Sequence, residues 1–190
     1  MRDDAASVVA MIDDMGVRMK RTAKARTSRL EDAQVFTLEV TITSGPATES
    51  FMRKNPVVSR TIEIRDEQTL AHLHHAIFRA FDRDDDHMYE FQIGGRRPMD
   101  RKARRYGLRI DDPLDDRSGG DVTRTTIGSL GLKVGERFFY WFDFGDDWWH
   151  SINVLGIADG GTTGGKLPRV TKRVGESPPQ YVAWDEEGDA

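Results

Sequence analysis

The chain has 190 residues with 37% hydrophobic content, enough for one core with extensions at about one domain per ~150 residues. Its 28 basic and 32 acidic side chains leave a formal charge of -4, a mixed surface without the positive field of a protein dominated by phosphate contacts. The absence of cysteine excludes disulfides, thiolate metal sites, iron–sulfur clusters and a cysteine nucleophile, and fits a reducing cytoplasm.

The first residues, MRDDAASVVAMIDDMG, lack the apolar centre of a signal peptide, and no stretch approaches the ~18 apolar residues of a membrane span, so the sequence predicts a cytosolic protein. Val8, Ile12, Met15 and Met19 recur at three- and four-residue intervals and predict an amphipathic helix over 5–24. A basic arm follows with Lys20, Arg21, Lys24, Arg26 and Arg29, and the two make an expected terminal unit, 1–32, with a solvated basic face, open to docking on the domain, on a second copy or protein partner, or on an anionic surface. The main domain is expected over 33–180, with an acidic tail at 181–190.

From Val35 the period changes. VFTLEVTIT alternates Phe36, Leu38, Val40 and Ile42 against Thr37, Glu39, Thr41 and Thr43, the signature of a half-buried strand. A Gly-Pro turn region precedes a second strand, VVSRTIEI. A helix follows in DEQTLAHLHHAIFRAF, with Thr69 as N-cap because its hydroxyl can accept from the free amides of the first turn. At ~100° per residue, Leu70, Leu73, Ile77 and Phe81 share one face and His72, His75 and Arg79 the other, with His74 partly buried at the margin.

HMYEFQIGG reads as a third strand ending in a Gly-Gly turn, and residues 95–125 as a long irregular loop in which basic residues between Arg96 and Arg109 give way to aspartates. TIGSLGLKVGE predicts a short helical turn leading into a hairpin. If that hairpin reverses near Asp146, Phe138, Tyr140 and Phe142 share a core face with His150, Ile152 and Val154. Phe139, Trp141 and Asp143 then share the opposite face with Trp149, Ser151 and Asn153. ADGGTTGGK predicts a flexible connector and the remainder an extended, proline-containing tail. The order predicts an α+β fold, a mixed sheet packed on a central helix in a grasp-like plan.

TLAHLHHAIFRAF, DDHMYEFQI and FFYWFDFGDDWWHSINV, in this order and at these separations, resemble the plasmid pRiA4b ORF-3-like family over roughly residues 35–180. Members are often labelled passenger proteins of insertion elements, and the resemblance brings no established activity with it. Leu73, His74, His87, Asp143, Phe144, Gly145, Asp146, Trp148 and His150 fall on the family's motif positions. Where members commonly continue Gly-Glu-Gly-x-Cys-Pro-Pro-Glu-Asp, this chain has RVGESPPQYV, with Ser177 before the prolines and Gln180 and Tyr181 in place of the acidic pair. Trp149 stands where the motif normally has a polar residue.

Gly145, Asp146 and Asp147 are favourable turn residues, which accounts for most of the hairpin-tip signal. The Asp-Phe-Gly triplet comes without a glycine-rich loop or a His-Arg-Asp loop and does not mark a kinase. No Gly-x-Ser-x-Gly elbow, phosphate loop or dinucleotide fingerprint is present. The sharpest enzymatic reading is a zinc, manganese or iron site built from His74, His87 and His150 with Asp146 or Asp86, which could activate water for hydrolysis. Against it stands the commoner fate of such histidines, a partly buried ring with its hydrogen bonds made. A nucleic-acid reading rests on Arg101, Lys102, Arg104 and Arg105, the basic arm, and the aromatic side chains of Trp141, Trp148 and Trp149. The reading with fewest assumptions is a binding or interaction protein associated with plasmids or mobile elements.

Overall fold

The structure, a computed structural model, describes residues 33–84, 87–108, 119–159 and 165–181. The predicted N-terminal helix, the basic arm and most of the acidic tail lie outside these residues. In chain order the elements are β1 (Gln34–Ser44), α1 (Glu49–Lys54), β2 (Ser59–Arg65), α2 (Leu70–Ala80), β3 (Tyr89–Ile93), β4 (Arg104–Gly107) and β5 (Gly120–Asp121). A single 3₁₀ turn (Gly128–Leu130), β6 (Arg137–Phe142), β7 (Trp148–Asp159) and β8 (Arg169–Val174) complete them.

The strands form one eight-stranded sheet in the order β5-β4-β3-β6-β7-β1-β2-β8. Every neighbouring pair is antiparallel except β4 and β5, so the sheet is mixed only at that edge. The predicted α+β plan is present. The central pair, β6 and β7, runs antiparallel, and this order does not establish the grasp-like plan.

Two expectations need correction. Residues 95–125 are not one loop, because β4 and β5 emerge from them at one edge of the sheet. The strand RRYG carries too many charges for period-two alternation, and β5 has two residues, so neither left a pattern to read. The tail is likewise not merely extended, since β8 pairs with β2 from Ser59↔Val174 to Glu63↔Arg169 and closes the other edge. The helix α1, between the Gly-Pro turn and β2, was not expected. Thr48 caps it by accepting from the Phe51 amide, and at six residues it is too short to show a helical period.

One face of the sheet is covered by α2, whose Leu70, Leu73, Ala76, Ile77 and Ala80 are buried against it. Each large apolar side chain buried this way contributes roughly 1.5–3 kcal/mol. Thr69 closes a capping box in which its hydroxyl meets the His72 amide and the His72 ring accepts from the Thr69 amide. The predicted histidine pattern holds on α2: His72 and His75 are exposed, whereas His74 is fully buried rather than at the margin.

The opposite face of β3 is closed by the connection to β4. Buried Gln92 accepts from the Met99 amide and donates to the buried Glu90 carboxylate, which also takes Arg105 Nε at 2.8 Å. No helix among the described residues is long and apolar enough to cross a membrane.

Candidate functional site

The hairpin of β6 and β7 pairs as the alternation predicts, with Phe138 opposite Ile152 and Tyr140 opposite His150. Phe142 faces Trp148, which puts that tryptophan on the core face. Trp148 is fully buried, with the Arg83 guanidinium 3.8 Å above its ring. Gly45 backs the same indole so closely that a Cβ there would lie 2.2 Å from it. Trp148 therefore cannot serve as a stacking platform for a ligand, contrary to the nucleic-acid expectation.

At the tip the chain turns through Asp143 and Asp147, both at positive φ (53° and 59°), a conformation that aspartate tolerates better than most residues. Asp143 Oδ1 accepts from the amides of Gly145 (3.1 Å) and Asp146 (3.3 Å), and its carbonyl accepts from the Asp147 amide (2.8 Å). Its own amide donates to the Met88 carbonyl, which ties the turn to the chain entering β3. With Oδ1 occupied by the turn, Oδ2 is left facing His87 Nε2 at 3.5 Å.

The same His87 nitrogen lies 2.8 Å from the Tyr181 hydroxyl. Gln180 fixes that phenol, donating to it from Nε2 (3.3 Å) while its Oε1 accepts from the Asp84 amide (2.9 Å). The phenol oxygen thus accepts from Gln180 and lies within hydrogen-bond reach of His87 Nε2, with the donor in that second bond set by the imidazole tautomer. The Asp143–His87–Tyr181 group is open to water on one side, since the His87 side chain is 39% exposed and that of Asp143 9%. Tyr181 is also exposed.

Three aromatic rings form a ledge on the outer face of the hairpin, joined to this group through the turn at Asp143. Trp141 is held between Phe144 (4.1 Å, 27°) and Trp149 (4.9 Å, 7°), and its indole N–H donates to Asp147 Oδ1 at 2.8 Å. The Thr43 hydroxyl pins the far side by donating to the Trp149 carbonyl. Trp141 and Trp149 are half-buried and Phe144 is exposed, an arrangement unlike a core cluster.

His74 and His150 lie deeper on the face covered by α2, and His74 approaches the same Phe142 ring that His87 meets from the rim. His74 stacks flat on Tyr89 (3.6 Å, 1°), and its Nδ1 meets the Tyr140 hydroxyl at 2.8 Å. His150 sits edge-on to Phe81, with the Tyr140 ring also 5.2 Å away. Neither ring nitrogen of His150 has a hydrogen bond of acceptable geometry. Burial, and then the Arg83 charge, push its pKa down to about 3 against a weaker opposing pull from the backbone of Tyr140 and Trp148. Burial also lowers Arg83 to about 10, although Tyr140, Asp143 and Asp82 oppose the shift.

The gap bounded by Ile77, Phe78, Phe81, Arg83, Tyr140, Phe142 and His150 is too small for a water molecule. His74, His87 and His150 therefore do not meet around a shared space: two are sealed in the core and the third is at the rim with Tyr181. Among the described residues no three His, Asp or Glu side chains come together as an ion-binding group, and Asp86 lies outside them. Asp146 stands in the turn, where its amide rather than its carboxylate makes the recorded contact.

The candidate nucleic-acid residues are also dispersed in role. Arg101 and Lys102 are exposed beside Asp100, which accepts the Lys102 amide. Arg104 reaches over Tyr106 and toward the Leu130 carbonyl, and Arg105 is taken by Glu90.

The part of the site least visible in the sequence is the segment after β8. Arg60 is buried beneath it and donates to the carbonyls of Ala80, Ser59, Val174 and Gly175 and to the Ser177 hydroxyl. Ser177 in turn donates to Asp82, and Arg83 reaches the Pro178 carbonyl. The three positions at which the sequence departs from the terminal pattern implied by the resemblance, Ser177, Gln180 and Tyr181, thus all carry contacts. Their departure from that pattern was the one available signal.

A match to the plasmid pRiA4b ORF-3-like protein family covers residues 50–183, from α1 through the hairpin and past Tyr181. The chain belongs to this family. This pRiA4b ORF-3-like protein is 27% identical over 128 residues to an uncharacterized protein of Sinorhizobium fredii, an alignment covering 67% of this chain. The chain spans about 60% of that relative's length. The crystal structure of a protein of unknown function from Methanosarcina mazei Go1 is similar in fold, with a TM-score of 0.61 at 21% identity over 78% of this chain and 73% of that one.

Proposed function

We propose that this pRiA4b ORF-3-like protein is a cytoplasmic binding module whose recognition surface is the β6–β7 hairpin tip. The carrying observation is the part-exposed ledge of Phe144, Trp141 and Trp149, held in register by Asp147 and joined at the turn to Asp143, which carries His87 and Tyr181. Rigid aromatic side chains supply contact area at low conformational cost, and a neighbouring polar group with exchangeable protons supplies direction. The strained Asp143 fits this reading, since positive φ in a non-glycine residue persists where the surroundings over-determine it. The family's name links such proteins to plasmids, and the lack of cysteine is in keeping with a reducing compartment.

The test is selection of random displayed peptides on the full-length protein, counter-selected against a Phe144→Ala/Trp149→Ala double variant that retains the wild-type circular dichroism. Sequences that bind the wild type and not the variant are expected. Ligands held equally by both, or no enrichment at all, would contradict a recognition surface at the tip.

A further inference from the structure

We infer that the partner presents lysine or arginine side chains, so that the hairpin tip docks a cationic peptide segment of another protein. This rests on the binding reading above and adds the charge of the occupant. The face of an aromatic ring carries the negative part of its quadrupole and attracts a cation placed over it. Phe144 and Trp149 lie on opposite sides of Trp141 and so form the two ends of the stack.

The charges around the ledge have the same sign. From Phe138 to Ile152 the chain carries Asp143, Asp146 and Asp147 and no lysine or arginine. Nearby cations are already engaged: Arg83 is buried over Trp148, and Arg105 is paired with Glu90. Among the described residues, His87 is the basic group in recorded contact with the tip and Asp143 stands beside it, while Arg137, farther along the outer face, is bonded to Asn153. Nucleic acid meets carboxylates here instead of phosphate-neutralising groups, and an acidic peptide is disfavoured for the same reason. A guanidinium suits the ledge doubly, because its plane stacks on indole while its N–H groups reach a carboxylate.

The experiment is calorimetric titration of the full-length protein with three peptides of equal length, bearing arginine and lysine, bearing glutamate, or uncharged and proline-rich. The cationic peptide is expected to bind in the micromolar range and to weaken severalfold when salt is raised from about 50 to 300 mM. Trp149→Ala and, separately, the shape-conserving Asp146→Asn should each weaken it at least about fivefold. Binding unchanged in Trp149→Ala, as adsorption to the acidic chain end would give, overturns the inference. Equal or tighter Trp149-dependent binding of the uncharged or acidic peptide overturns the charge assignment but leaves the recognition surface standing. If no peptide gives Trp149-dependent heat, both readings fall. Trp149-dependent self-association in sedimentation would make a second copy the occupant and equally reject the inference.

Discussion

Burial holds the His150 imidazole neutral, with its pKa pushed down to about 3, whereas an unfolded histidine titrates near ~6.5. Between these values the unfolded chain binds a proton that the folded chain refuses, so acidification favours unfolding and stability rises with pH across the window. The expected loss from this residue between pH 7.5 and 5.0 is on the order of 2 kcal/mol, from about 1.4 kcal/mol per unit below the unfolded pKa. Urea melts at the two pH values, for the wild type and His150→Phe, isolate it from the carboxylates that titrate in both. The variant should have a shallower pH dependence, and an unchanged slope would mean that His150 is already free to protonate when folded. The sequence placed His150 on the inward face by alternation alone. It could not show that the inward space lacks a hydrogen-bond partner, because that depends on Phe81 and Arg83 from the helix end.

Among the elements, the helix, the first three strands and the hairpin were legible because each carries its own period: three- and four-residue spacing in Leu70, Leu73 and Ile77, alternation in Phe36, Leu38 and Val40. The strand β8 was not, since Arg169–Val174 has only intermediate or exposed side chains on an edge, and its position is set by a residue far away in sequence. That residue is Arg60, an arginine inside a strand whose guanidinium also lies 4.9 Å from the Phe81 ring. Replacing it with leucine strips donors from carbonyls on α2, β2 and the segment after β8 together. Arg60→Leu is therefore expected to cost about 3 kcal/mol and to speed amide exchange in 169–181 more than in β1 or β7. Uniform acceleration throughout the sheet would show instead that Arg60 supports the core generally and does not fasten this segment.

For the molecule as a whole, the two faces of the sheet at the hairpin have separable duties. Phe142 and Trp149 are close along the same hairpin, yet Phe142 points toward α2, against His74 and Phe78, while Trp149 points outward onto Trp141. The inward ring is almost wholly buried, and its truncation leaves a cavity that the flanking aromatics cannot collapse into without leaving their own rotamers. Phe142→Ala should therefore cost about 3–5 kcal/mol. Trp149→Ala loses one stacking contact and part-buried area that water can refill, so its cost should be about 1 kcal/mol. Chemical denaturation of both variants, read against the peptide titration, tests the division. A large loss in Trp149→Ala would make the outer stack a second core and remove the physical ground for recognition there. A small loss accompanied by abolished binding would mean that these outward aromatics contribute chiefly to contact with another molecule, with the fold resting on the face covered by α2.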